Sequence, residues 1–184
     1  MKRITYHPLM NNDMLNLILQ YLVLPDIAKL DTAMCNKDFR EILLQNLAMY
    51  VYDGNKYTTY DDGYIRWLFL RKIRIYSVKC DKKQFHLLLH KNKNSSANIL
   101  EYIEHIDLST CTHIYDSLIL KLLQYTKKIK SINVSKSITI SDLSLKYLAD
   151  NCEKLETLNI YKCFYFTHEQ VIYVKKKFPN IKFV

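Results

Sequence analysis

Apolar residues recur in a fixed phase along the second half of the chain. Ile103, Ile106 and Leu108 stand in the run Ile103-Glu104-His105-Ile106-Asp107-Leu108-Ser109-Thr110-Cys111. The phase returns 26 residues later at Ile129, Ile132, Val134 and Ser137, and again at Leu155, Leu158, Ile160 and Cys163. It begins once more at Ile181 and Val184. Between the runs, Ile114, Ile140 and Phe166 share a register; so do Ile119, Leu145 and Val171, and so do Leu122, Leu148 and Val174. Alternation within each run predicts a short strand, and the three-residue offset between the last two sets predicts a helix. Each unit is thus a strand, a turn and a helix. One unit cannot bury its own apolar face, so the units are expected to stack over a shared core.

The first third of the chain has a different pattern. Leu15, Ile18, Leu19 and Leu22 follow helical spacing, with Asn12 or Asp13 as a cap. Pro25 suits the first position of a second helix, which carries Ile27, Ala28 and Leu30. Asn36 can start a third, with Phe39, Ile42, Leu43 and Leu47 on one face. Further along, Ile73-x-Ile75-x-x-Val78 alternates poorly. Lys82 to His90 reads as a helix with Phe85, Leu88 and Leu89 on one face, and Lys91 to Ser96 reads as a loop. The expected organisation is a helical segment over 1–50, a linker over 51–63 and an array over 64–184. Residues 64–100 would form a degenerate first unit that caps the array.

Composition narrows the chemistry. Two glycines, Gly54 and Gly63, cannot build a glycine-rich phosphate loop, which removes P-loop and dinucleotide-binding chemistry. Cys35, Cys80, Cys111, Cys152 and Cys163 are odd in number and contain no C-x-x-C pair. Reduced, buried thiols are therefore expected rather than disulfides or a zinc site, and no metal or cofactor is expected. No apolar run is long enough to span a bilayer and no signal-type h-region follows the N-terminus, so the chain reads as intracellular, cytoplasmic or nuclear, with no membrane partner. The net charge of +9 is concentrated in residues 61–100, and 22 of the 27 cationic side chains are lysine. Specific nucleic-acid readout favours arginine, so this profile argues against it. The nearest candidate nucleic-acid surface is the basic segment 64–83, with Tyr64, Arg66, Trp67, Arg71, Lys72, Arg74, Tyr76 and Lys79. Within it, Trp67, Leu68 and Leu70 are instead expected to pack the helical segment against the array.

Two stretches resemble a known family. Leu148-Ala149-Asp150-Asn151-Cys152-Glu153-Lys154-Leu155-Glu156-Thr157-Leu158-Asn159-Ile160 looks like the cysteine-containing subclass of leucine-rich repeats, which accompanies F-box domains in ubiquitin-ligase substrate receptors. The middle unit departs from that pattern at Thr126 and Ser137, small residues in place of cysteine. The N-terminal stretch resembles an F-box. Pro8-Leu9 stands near the usual leucine–proline start, in reversed order. Leu15-x-x-Ile18-Leu19-x-x-Leu22 matches the first helix and Asp26-Ile27-Ala28-x-Leu30-Asp31 the second. Cys35-Asn36-Lys37-x-Phe39-Arg40 resembles the stretch that follows, with Phe39 at a tryptophan position. The resemblance implies an α/β chain: a three-helix F-box-like segment followed by a short leucine-rich-repeat solenoid.

It also implies a role. The helices would bind a Skp-type adaptor, and through it a cullin complex, with Pro8, Leu9, Leu15, Ile18, Leu22 and Ile27 at the contact. The same residues equally suit the core of a capping helical bundle. The repeats would present a concave face to a target protein through His105, Asp107, Ser109, Ser131, Asn133, Ser135, Thr157, Asn159 and Tyr161. The stacked column Asp107, Asn133 and Asn159 could hydrogen-bond an extended peptide, or its members could be solvated or bond one another. Cys111 with His113, and Cys163 with His168, are conceivable nucleophile–base pairs, but both cysteines occupy an inward repeat position. The expected function is that of a non-enzymatic substrate-recognition subunit of a cullin-type ubiquitin ligase. A plain protein-interaction module with no ligase link is the alternative, and nucleic-acid binding through 64–83 the third.

Overall fold

The computed structural model describes residues 19, 22–35, 37–49, 51–53, 62–94 and 98–184. The chain divides into two units, residues 1–51 and 52–184. In the first, α1 (Leu24–Ala33) and α2 (Lys37–Met49) follow one another. Pro25 sits at the start of α1, where its missing N–H has no intrahelical partner to lose, and Asp26 places a carboxylate in the positive first turn. Ile27, Leu43 and Leu47 are fully buried. Asp31, only 1% exposed, accepts from Arg40 Nε at 2.7 Å, while Arg40 Nη2 donates to the Asp31 carbonyl at 2.7 Å. This fork ties α1 to α2, and removing Arg40 would take a charge-assisted hydrogen bond from a buried carboxylate.

The second unit is built on a sheet in the order β1-β2-β3-β4-β5-β6. The elements are β1 (Val51–Asp53), α3 (Asp62–Arg71), β2 (Arg74–Lys79) and α4 (Lys82–Lys93). After a 3-10 turn at Ile99–Tyr102 come β3 (His105–Asp107), α5 (Asp116–Tyr125), β4 (Ser131–Asn133) and α6 (Asp142–Asn151). The chain closes with β5 (Thr157–Asn159), α7 (His168–Lys177) and β6 (Lys182–Phe183). From β2 to β6 every pairing is parallel. His105, Ser131 and Thr157 stand side by side, as do Ile106, Ile132 and Leu158. The central residue of each of these three strands is buried between half-buried neighbours. Each fully buried aliphatic side chain contributes roughly 1.5–3 kcal/mol. Burial weakens at the last crossover, where Ile160, Phe166 and Val171 are half-buried while their counterparts Val134, Ile140 and Leu145 are fully buried.

Polar ladders run beside the apolar ones. Asp116 opens α5 and accepts from the Ser141 N–H (2.9 Å), the Ser141 hydroxyl (2.7 Å) and the Ser144 hydroxyl at the start of α6. Asp142 opens α6 and accepts from the Thr167 N–H at 2.8 Å, ahead of α7. Each helix start thus holds the cap of the next. Asp150, late in α6, accepts from Tyr173 Oη at 2.7 Å and Lys177 Nζ at 3.0 Å on α7.

The expected leucine-rich-repeat solenoid is corrected by this architecture. What the structure establishes is the expected α/β class, with one sheet, parallel from β2 onward and joined by helices; a solenoid with a concave strand face is not shown. The 26-residue period dictates parallel register and one helix per crossover, and neither property dictates curvature or uniform units. The sheet also includes members outside the period. Ser77 pairs with His105, a wider step than the one from His105 to Ser131. Helix α4 starts at Lys82, directly after β2, rather than near His90 where the period of α5, α6 and α7 would put it. Asp81 and Gln84 make a capping box that sets that early start, and the helix continues to Lys93 through residues read as loop. Val51–Asp53, read as linker, is a strand. Of the expected three-helix segment, the second and third helices are α1 and α2; the helix expected over 15–22 lies outside the described residues apart from Leu19, which is helical, and Leu22, a bend.

The Asp116 clamp carries a prediction. Burial opposes its charge, but the hydrogen bonds from Ser141 and Ser144 outweigh that and hold its pKa below the ordinary 3.8. A carboxyl with a depressed folded-state pKa stabilises the fold above its unfolded value and loses that contribution as pH falls through the folded one. Asp116→Ala should therefore cost about 1–3 kcal/mol near neutrality. The gap from the parent should close as pH falls below 3.8. Urea unfolding followed by circular dichroism at several pH values measures this; a gap that stays constant down to the acid limit would contradict the clamp.

Candidate protein-interaction surface

Asp107, Asn133 and Asn159 end β3, β4 and β5 and form one column. Each side-chain oxygen accepts from the backbone N–H two residues on: Ser109 at 2.9 Å, Ser135 at 3.0 Å and Tyr161 at 3.0 Å. The column therefore closes turns of the Asx type rather than bonding along the ladder. Asp107 also pairs with Lys79 Nζ at 3.3 Å. Burial opposes its charge, yet the Ser109 and Lys79 contacts prevail and lower its pKa. Of the other strand-face residues, His105, Ser109, Ser131 and Thr157 are half-buried and Ser135 is buried. His105 lies edge-on to Tyr76 with ring centroids 6.2 Å apart. Tyr161, 57% exposed, is the strongly exposed member of the nine.

The turns beyond the column present larger side chains. Lys136 and Lys162 take left-handed backbone (φ 64° and 57°), which bends the chain sharply after β4 and β5. Ile138 follows the first bend and donates its N–H to Thr112 O at 2.9 Å, stacking one loop on the last. Its counterpart after the second bend is Phe164. Ile138 is 43% exposed, Phe164 75% and the adjacent Tyr165 65%. Lys162 Nζ lies 5.2 Å from the Tyr161 ring centroid, and Lys82 Nζ 5.0 Å from that of exposed Tyr115. Aromatics beside cations are favoured in protein interfaces. Phe164 and Tyr165 were not among the residues expected from sequence. The available signal was their register: aromatics replace Thr112 and Ile138 at one position, and His113 and Thr139 at the next.

The remaining candidates are placed as follows. Pro8, Leu9, Leu15 and Ile18 lie outside the described residues; Leu22 is half-buried and Ile27 fully buried. In the basic segment, Trp67 is buried and stacks on Tyr64 with centroids 5.9 Å apart. Leu68 is buried too, whereas Leu70 is 72% exposed. Arg74 and Lys128 both lie against the Tyr102 ring, at 5.0 and 4.9 Å, and Lys79 is held by Asp107. Much of this segment's charge is thus engaged inside the unit. Glu104, Lys130, Glu156 and Lys182 alternate in sign at one register position. Lys130 Nζ donates to Glu104 at 2.7 Å, a bond that lowers the Glu104 pKa and raises that of Lys130.

The imagined cysteine nucleophiles are hydrogen-bond donors. The Cys111 thiol donates to Cys80 O and that of Cys163 to Val134 O, each at 3.1 Å, and Thr126 Oγ1 donates to Ile103 O at 3.1 Å in a neighbouring register. Burial pushes the Cys111 and Cys152 thiols up to about 12, and raises Cys80 and Cys163 as well. A thiol held protonated is a poor nucleophile.

Comparison with known proteins gives three results. No family model matches the chain. The chain is 30% identical over 127 residues, 68% of its length, to the SCF E3 ubiquitin ligase complex F-box protein pof2 of Schizosaccharomyces pombe. It spans about a quarter (26%) of the length of that curated relative. The match is more than twice as long as the first unit, so the larger part of it lies on the second. Among solved structures, the Chaetomium Mex67:Mtr2 subunits align at 13% identity with a TM-score of 0.46, over 59% of this chain and 78% of that one. That likeness is too low to place the fold in a family.

Thiol labelling tests the cysteine geometry. In the native chain at mildly alkaline pH, iodoacetamide should modify exposed Cys35 first. Cys80, Cys111 and Cys152 should react only on unfolding, as followed by peptide mass spectrometry. Native labelling of Cys111 as fast as Cys35 would show that its thiol is not sequestered.

Proposed function

We propose that the chain is a substrate-recognition subunit of a cullin-type ubiquitin ligase and catalyses nothing itself. The observation that carries this reading is the 30% identity over 68% of the chain to an SCF ligase F-box protein. The first unit adds support. Its Asp26–Asp31 and Cys35–Arg40 stretches carry the F-box resemblance, and they fall on α1 and on the entry into α2, which Asp31 and Arg40 join. In this reading Pro8, Leu9, Leu15, Ile18 and Leu22 belong to the segment that meets a Skp-type adaptor, while Ile27, fully buried, serves as core beneath it. The second unit receives the target at the carboxyl ends of its strands, with Tyr161, Phe164 and Tyr165 as anchors and the half-buried strand-face residues as a polar surround. Anchors of this kind dominate binding energy where they become fully desolvated.

One observation favours a second reading. Most of the match to the S. pombe protein lies on the second unit, so a protein-interaction module without a ligase link would account for it equally. Binding to a purified Skp-type adaptor separates the two. The intact chain should retain the adaptor in a pull-down, and Leu15→Asp with Ile18→Asp should abolish retention while circular dichroism stays unchanged. Phe164→Ser with Tyr165→Ser should leave it intact. Failure of the intact chain to bind, or undiminished binding by the folded Asp variant, would remove the ligase role and leave the second reading.

A further inference from the structure

Helices α4 and α5 pack more sparsely on one another than α5 on α6 or α6 on α7. The early start of α4 explains this: its residues are out of phase with the helices that follow, so its side chains do not mesh with α5 as those of α5 mesh with α6. A cleft of about 330 Å³ lies between them. Buried Leu89 and Leu118 form its floor, and exposed His86, His90, Lys93 and Lys121 line its walls. No carboxylate lines it. Three other lysines at or just after the helix ends are engaged: Lys127 with Asn151, Lys128 with Glu101, Lys177 with Asp150. Among the described residues, Lys93 and Lys121 have no such partner. The helix dipole accounts for His90 and Lys93, in the last turn of α4. It does not account for His86 and Lys121, which sit mid-helix.

We propose that this cleft binds an acidic amphipathic segment of a partner protein. Its apolar side chains would rest on Leu89 and Leu118, and its carboxylates would meet Lys93 and Lys121. The apolar floor selects a peptide over a nucleic-acid strand. A phosphate backbone gains nothing from leucines; no arginine lines the cleft, and its one tyrosine, Tyr125, is half-buried rather than presented as a stacking platform. The site lies away from the strand-end loops and does not depend on the ligase reading.

Fluorescence anisotropy of the full chain with a fluorescein-labelled peptide of repeating Glu-Glu-Leu-Leu units tests this. Binding should weaken as salt rises, and Lys93→Glu with Lys121→Glu should weaken it roughly tenfold or more. Lys154→Glu with Lys176→Glu, an equal charge change on other exposed positions of the second unit, should leave it unchanged. Should the first variant unfold, Lys93→Gln with Lys121→Gln, which removes charge without adding any, should show the loss. No binding of the peptide by the parent chain, equal loss in both Glu variants, or equal binding of a single-stranded DNA of the same length would each overturn the proposal.

Discussion

Strands three residues long cannot hold themselves, so this sheet stands only because each strand bonds to its neighbour in the next crossover. The main-chain contacts repeat at one spacing. Lys130 and Ser131 donate to Glu104 O, Glu156 and Thr157 donate to Lys130 O, and Lys182 donates to Glu156 O, all within 2.8 to 3.0 Å. The rows from β3 to β5 and the helix caps beside them align with that ladder. Ile106, Ile132 and Leu158 become a buried row, Glu104 and Lys130 an ion pair, and Asp116 and Asp142 the partners of the next helix cap. A change that slipped one strand would break every row at once, which is why the register is so strongly specified.

The ladder also decides which side chains are available to a partner. Its polar column is used internally, because Asp107, Asn133 and Asn159 close the turns that let each strand leave the sheet. Its thiols are used internally too, as donors to carbonyls of the preceding strand. What remains for recognition is what the turns push outward, the aromatic loop after β5, together with what the misphased helix leaves uncovered, the cationic cleft beside α4. These surfaces differ in chemistry, so they suit different partners.

Much of this was legible in the chain. Residues 26 apart announced their own pairing, because a period that carries both strand and helix phases has one parallel register that satisfies both. The F-box-like letters Asp31 and Arg40 read as a motif; the structure adds that they are bonded to each other. Other features were hidden for physical reasons. The period does not reach β1, β2 or α4, so neither the strand at Val51–Asp53 nor the early cap at Asp81 could be inferred from it, and the expected leucine-rich-repeat solenoid gave way to an α/β sheet, parallel from β2 onward. An Asn at a strand end reads the same whether its oxygen faces a partner or turns back to its own backbone. Phe164 and Tyr165 escaped because apolar residues in a periodic chain are assigned to the core, and only the loss of burial at the last crossover distinguishes them.

In the proposed function the helices of the first unit meet the adaptor and the strand-end loops of the second receive the target. Cross-linking mass spectrometry on the complex purified with the intact chain tests that division most directly. Adaptor peptides should link to Lys29 and Lys37, exposed in the first unit, and target peptides to Lys162, exposed beside Tyr161. Adaptor links concentrated on Lys162, with none on the first unit, would contradict it.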